Sequence, residues 1–122
     1  MKSLFDTYCY QASKHVTKTY STSFYSGVSK LDKKIRNDVH AIYGMVRFAD
    51  EIVDSFHDFD KEVLLQEFKD ATFSAIERGV SLNPILNSFQ ATVNKYSIDL
   101  NLITQFFNSM EMDLNPVNYT QE

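Results

Sequence analysis

Asp50 and Asp54 stand four residues apart in the segment Ala41-Ile42-Tyr43-Gly44-Met45-Val46-Arg47-Phe48-Ala49-Asp50-Glu51-Ile52-Val53-Asp54. On a helix that spacing stacks two carboxylates on one face, about 6 Å apart at Cβ. Carboxylates so placed repel unless one is protonated or a cation bridges them. A hard divalent ion such as Mg²⁺ is the natural bridge. It accepts one or two carboxylates and keeps its other positions for water and substrate phosphate. Arg47, one turn before Asp50, could grip the same phosphate through its planar guanidinium. The chemistry open to this trio is therefore metal-assisted and directed at phosphate. The competing reading is a solvated acidic patch with Arg47 paired to Asp50 or Glu51 at the surface, where such pairs are worth little.

The surrounding pattern favours a site. Val39, Tyr43, Val46 and Val53 recur at helical spacing and predict one core-facing stripe. Asp50 occupies the place in that stripe where a hydrophobe is called for. Burying unpaired charge is too costly for a packing choice. Asp50 is therefore expected to face a polar cavity, a metal ion or a ligand.

Other candidates carry less. Asp54, Asp58, Asp60 and Glu62 loosely resemble a calcium loop, but the glycine its sharp turn requires is absent. His57-Asp58 lacks the partner ligands of a metal phosphohydrolase and reads as solvated loop. His15 and His40 read as helix-surface or core histidines. No Glu-x-x-His pair supports a di-iron bundle. Cys9, the one cysteine, reads as a small packing residue.

The elements that must position these residues are helical. Only three Gly and two Pro punctuate the long periodic stretches of a 122-residue chain, which fits one domain. Five helices are predicted. The first covers about 4–19, with Leu4, Tyr8, Ala12 and Val16 inward and Lys14 and Lys18 outward. Residues Tyr20 to Gly27, rich in Ser and Thr, are expected to form a loop or frayed turn. The second helix runs from an Asp32 cap to about Phe56, and the third from an Asp60 cap to Arg78, where Gly79 stops it. The fourth starts at Pro84 and reaches about Tyr96. The fifth runs from Asp99 through Leu114, and Pro116 ends it. The reading is all-α, an antiparallel helical array.

A formal charge of −4 argues against nucleic acid as the main partner. The single cysteine, and the lack of an apolar run near the start or of membrane-spanning length, lead us to expect a cytoplasmic protein.

Three segments taken together resemble the squalene/phytoene synthase family, the head-to-head prenyltransferases. Ser21-Thr22-Ser23-Phe24 is similar to the family's S-x-S-F segment. Ala41, Tyr43, Arg47, Asp50, Glu51 and Asp54 match its A-x-Y-x-x-x-R-x-x-D-[DE]-x-x-D helix. Met110-Glu111-Met112-Asp113-Leu114 matches its M-[DE]-M-D-L helix end, and Tyr119-Thr120-Gln121-Glu122 follows in a similar way. Tyr20 stands where many members carry His.

The resemblance implies the N-terminal part of an isoprenoid-synthase-type helical bundle. It implies two prenyl diphosphates, geranylgeranyl or farnesyl, joined head to head with Mg²⁺ in carotenoid or isoprenoid biosynthesis. Asp50 and Asp54 would hold metal with Glu51 in support. Arg47, Tyr43, Ser21 and Ser23 would contact diphosphate, and Phe24 would border the prenyl chain. Family members are more than twice as long and carry a second aspartate-rich motif. Residues 1–122 are therefore expected to be an N-terminal portion, inactive alone, with an apolar groove beside Asp50 prone to self-association and with peripheral membrane contact. The alternatives are a non-catalytic helical interaction module or regulatory subunit, and, more distantly, a Mg²⁺-dependent bundle acting on nucleotides.

Overall fold

The computed structural model describes residues 1–114. Within them the chain forms six helices and no strand: α1 (Lys2–Tyr20), α2 (Thr22–Val28), α3 (Lys33–Ser55), α4 (Lys61–Arg78), α5 (Pro84–Tyr96) and α6 (Leu100–Leu114). Pro116 and the segment Tyr119 to Glu122 lie outside the described residues.

The predicted caps explain most boundaries. Asp32 accepts from Lys34 N at the head of α3, and Asp60 accepts from Val63 N at the head of α4. Pro84 opens α5 as expected, and Asn83, not singled out in the sequence, caps it by accepting from Ile85 and Leu86 N. Asp99 accepts from Asn101 N at the start of α6. Gly79, at φ 76°, closes α4 in the left-handed conformation that glycine adopts without a Cβ penalty.

One prediction is corrected here. The expected loop from Tyr20 to Gly27 is largely helical, as α2. Ser21 is extended and its hydroxyl accepts from Phe24 N at 3.1 Å. The Ser and Thr residues that looked like loop formers therefore begin a new helix, the alternative use of the same local hydrogen bond.

The packed faces are also displaced from the predicted ones. In α1 the buried line is Cys9, Ser13 and Thr17, whereas Leu4 and Tyr8 remain exposed. In α3 the buried line is Asp38, Ala41, Met45, Ala49 and Ile52, while the predicted stripe of Val39, Tyr43, Val46 and Val53 is only half-buried. The cause is steric. Small residues let α1, α3 and α5 approach closely, so a Cβ on Gly44 would stand 3.4 Å from Ile85 Cγ2 and 3.5 Å from Ser13 Oγ. Close contact outweighs side-chain bulk in choosing the seam.

This seam is polar but satisfied, as buried groups must be. Ser13 pairs with Ser88, and His40 Nδ1 lies 2.9 Å from Thr17 Oγ1. Asp38 on α3 receives Tyr96 Oη at 2.6 Å, Lys95 Nζ at 3.1 Å and Thr92 Oγ1 at 3.2 Å from α5. The apolar core lies beside the seam, where α3 and α5 meet α4 and α6. Met45, Ile52, Leu65, Leu86, Phe89, Val93, Ile103 and Phe107 form it. Phe107 is fully buried with Phe68, Phe73 and Phe106 around its ring. Anchoring on both sides fixes the C-terminal half of α3, which carries Arg47, Asp50, Glu51 and Asp54.

Candidate functional site

Because α3 packs through its small-residue line, Tyr43, Arg47, Asp50 and Asp54 follow a face turned round the helix from that contact. Asp50 is partly exposed and Asp54 exposed. Burial raises the pKa of Asp50; Arg47 opposes this, and the negative charges of Asp54 and Asp113 add to it. Net, the Asp50 carboxyl stands above its ordinary range. Asp113, on the last turn of α6, thus brings a third carboxylate toward the pair.

Arg47 is the cation at this edge. Its Nη1 lies 3.7 Å from Asp50 Oδ2 and its Nη2 3.3 Å from Glu51 Oε1. The guanidinium carbon sits 4.7 Å from the ring centre of Tyr20, at the end of α1. Nε of Arg47 is buried and has no hydrogen-bond partner among the described residues. A buried donor left open costs free energy that an incoming acceptor would recover.

Glu51 is placed differently from the two aspartates. Tyr20 donates to its Oε2 at 2.8 Å, and Ser55 and Arg47 engage Oε1. Hydrogen bonds from Ser55 and Tyr20 outweigh slight burial and, with Arg47, hold its carboxyl below the ordinary range. Glu51 therefore locks Arg47 and Tyr20 together, and it borders a hollow of about 290 Å³ with Phe48, Ile52, Phe56 and Phe68. Phe48 and Asn83 also line a larger groove, about 710 Å³, along Tyr8, Ala12, Val16 and Ile85. These apolar spaces flank Glu51. The expected groove beside Asp50 is thus found one flank away, and Asp50 and Asp54 do not line it.

The α2 residues close the other side. Phe24 is partly exposed and stacks on Tyr43 with ring centres 4.9 Å apart. Ser21 and Ser23 Oγ atoms are 3.4 Å apart at the head of α2. Since Ser21 Oγ accepts from Phe24 N, its own proton stays available to donate.

Among the described residues no group of three His, Cys, Asp or Glu side chains is gathered closely enough to hold a metal unaided. The donor set still suits a hard cation that takes only one or two protein carboxylates. Asp50 and Asp54 offer oxygen ligands from successive turns of α3, and burial, with the charges of Asp54 and Asp113, raises the Asp50 pKa against the pull of Arg47. Sequence reasoning missed Asp113 as a contributor and Tyr20 as the platform for Arg47. The first lay in the quoted Met110 to Leu114 segment, but only the packing of α6 against α3 brings it near Asp50.

The described residues thus form an all-α fold with an arginine–carboxylate edge beside an aromatic hollow. A family model for squalene/phytoene synthase matches residues 17–122, and the chain belongs to that family. No curated protein matches it significantly. The family is one of prenyltransferases that act on prenyl diphosphates and are generally dependent on a divalent metal. No helix among the described residues is long and apolar enough to cross a membrane.

Proposed function

We propose that this chain provides one wall of a head-to-head prenyl diphosphate condensing site, of the phytoene or dehydrosqualene synthase type. The observation that carries the reading is Arg47, fixed between Tyr20, Asp50 and Glu51 with a buried Nε still free. A clamp held in that way has its orientation settled before a ligand arrives.

Arg47, the hydroxyls of Ser21 and Ser23, and Tyr43 bind and orient the diphosphate of farnesyl or geranylgeranyl diphosphate. Mg²⁺ held by Asp50 and Asp54, with Glu51 in support, would neutralise the diphosphate as it leaves. Glu51 acts chiefly by fixing Arg47, since its oxygens already serve Ser55, Tyr20 and Arg47. The Phe24 and Tyr43 rings border the prenyl chain and present π faces to allylic positive charge. Phe48, Phe56 and Phe68 offer the isoprenoid tail an apolar bed. The same reading places the protein in the cytoplasm, with peripheral membrane contact for its lipid-like substrates and self-association along the open groove.

The described site is open. Asp54 is exposed and Phe24 partly so, so this wall cannot by itself exclude water from an allylic cation. Residues 1–122 accordingly act as the N-terminal portion of a catalytic domain and are inactive alone. The test is to incubate the purified chain with Mg²⁺ and farnesyl or geranylgeranyl diphosphate. The expected result is diphosphate binding with no hydrocarbon above background. Robust turnover would overturn the one-wall reading. Absence of any Mg²⁺-dependent binding would favour the interaction module.

A further inference from the structure

The chain is acidic overall, yet six of its twelve Lys and Arg residues fall between positions 14 and 37, against a single acid there, Asp32. Folding gathers part of this charge around a recess of about 260 Å³, away from the Arg47 edge. Lys14 of α1 and Lys33 and Arg36 of α3 line it, with Tyr25, Asn37 and His40. Lys14 and Lys33 make no hydrogen bond or ion pair among the described residues. Asp32, the acid in this stretch, is occupied in capping Lys34 N. Cations gathered without counter-charge around a concave surface raise the local concentration of anions.

The second observation is His40. Its side chain is only 3% exposed, yet it lines the recess. Nδ1 is 2.9 Å from Thr17 Oγ1, while the Thr17 hydroxyl donates to Ser13 O at 3.3 Å. With the single Thr17 proton given to Ser13 O, the network assigns Nδ1 as the donor to Thr17 and leaves Nε2 as a lone-pair acceptor. Nε2 has no partner among the described residues. Burial, with Lys14 adding, keeps His40 below its ordinary pKa, so the ring is neutral at pH 7.

The geometry points to a second anion site, built for a phosphate group that still carries a proton. Lys14, Lys33 and Arg36 supply the positive charge, and His40 Nε2 accepts the phosphate O–H. Dianionic hydrogen phosphate meets both demands near neutral pH, and a phosphate monoester meets them in its singly protonated form, which is abundant only near and below its second pKa of about 6. Sulfate, of the same charge and shape but without a proton, meets only the first. The ligand is either a soluble phosphate or the monoester headgroup of a lipid.

The proposal is tested by nuclear magnetic resonance titration of the intact chain with inorganic phosphate and, separately, sodium sulfate, with chelator present and ionic strength matched. Expected are saturable shifts of the His40 ring and the Arg36 and Asn37 amides with phosphate. Sulfate should bind about tenfold more weakly for want of one hydrogen bond. Lys33→Glu and Lys14→Gln, which alter no hydrogen bond within the fold, should abolish or weaken the shifts, whereas Lys69→Gln should leave them intact. Flotation with phosphatidylcholine vesicles, with or without phosphatidic acid, separates the sources. Binding of phosphatidic acid vesicles without binding of free phosphate assigns the site to a lipid headgroup, and the reverse assigns it to a soluble ligand. No binding in either arm, equal affinity for sulfate, or binding indifferent to Lys33→Glu would overturn the proposal. The Arg47 edge takes no part, so its failure or success is read separately.

Discussion

Arg47 lies over the ring of Tyr20 at 4.7 Å, and the hydroxyl of the same Tyr20 donates to Glu51, the residue that also pairs with Arg47. One tyrosine at the end of α1 therefore fixes both the cation and its counter-ion on α3. The pair is closed on the Glu51 side, while the buried Nε of Arg47 keeps a donor without a partner among the described residues.

Removing the platform should loosen the clamp. Tyr20→Ala is expected to weaken diphosphate binding about tenfold, in line with the loss of a partly desolvated cation–π contact. Tyr20→Phe keeps the ring, loses only the bond to Glu51, and should have the smaller effect. Calorimetric titration of both variants with the same diphosphate ranks them directly.

The acidic face should be separable from the fold. Asp50→Asn relieves a carboxylate that burial and two neighbouring negative charges disfavour, so the thermal midpoint should hold or rise slightly. In any form of this protein that turns over prenyl diphosphates, Asp50→Asn and Asp54→Asn should each cut turnover by orders of magnitude. Phe107→Ala should show the opposite pattern, costing about 3–5 kcal/mol by emptying the middle of the core. Thermal melts of the three variants check the contrast.

Asp38 gives a prediction for pH. Burial opposes its charge, but hydrogen bonds from Tyr96, Lys95 and Thr92 prevail and hold its pKa below the ordinary value. A carboxylate depressed in the folded state stabilises fully above the unfolded pKa of about 3.9. That contribution disappears as pH falls through the folded value. Tyr96→Phe removes one of those bonds and should move the onset of acid unfolding to higher pH. Circular dichroism across an acid titration measures the shift.

Ser97 ends α5 in the left-handed conformation, at φ 51°, where a Cβ is unfavourable. Ser97→Gly should therefore stabilise the chain by about 0.5–1 kcal/mol after allowing for the greater flexibility of glycine when unfolded. Urea denaturation midpoints suffice to check it.

Helix positions and most caps were readable because Asp32, Asp60, Gly79, Pro84 and Asp99 act within a few residues of themselves. Helix faces were harder to read. Leu4, Tyr8 and Val16, like Val39 and Val46, have the spacing of a core stripe. Yet Ser13, Thr17, Ala41 and Gly44 pack, because a close seam between three helices rewards small residues, a tertiary effect that hydropathy does not register. Asp50 was singled out as an interruption of a buried stripe, whereas it lies on a half-open face. Its distinction is the company of Arg47, Asp54 and Asp113, and Asp113 is brought there only by the docking of α6. The head of α2 was misread because serine hydroxyls serve loops and helix caps alike.

The account rests on a cation-assisted diphosphate site formed by Arg47, Asp50 and Asp54. The most direct test is calorimetric titration of the chain with a non-ionising thio-analogue of farnesyl diphosphate, with and without Mg²⁺, for the native chain and for Asp50→Asn. The account predicts saturable binding that requires Mg²⁺ and falls at least about tenfold in Asp50→Asn, since a neutral amide is a poor ligand for a hard cation. Binding of equal strength without Mg²⁺ and in Asp50→Asn, or no binding to the native chain at all, would contradict it.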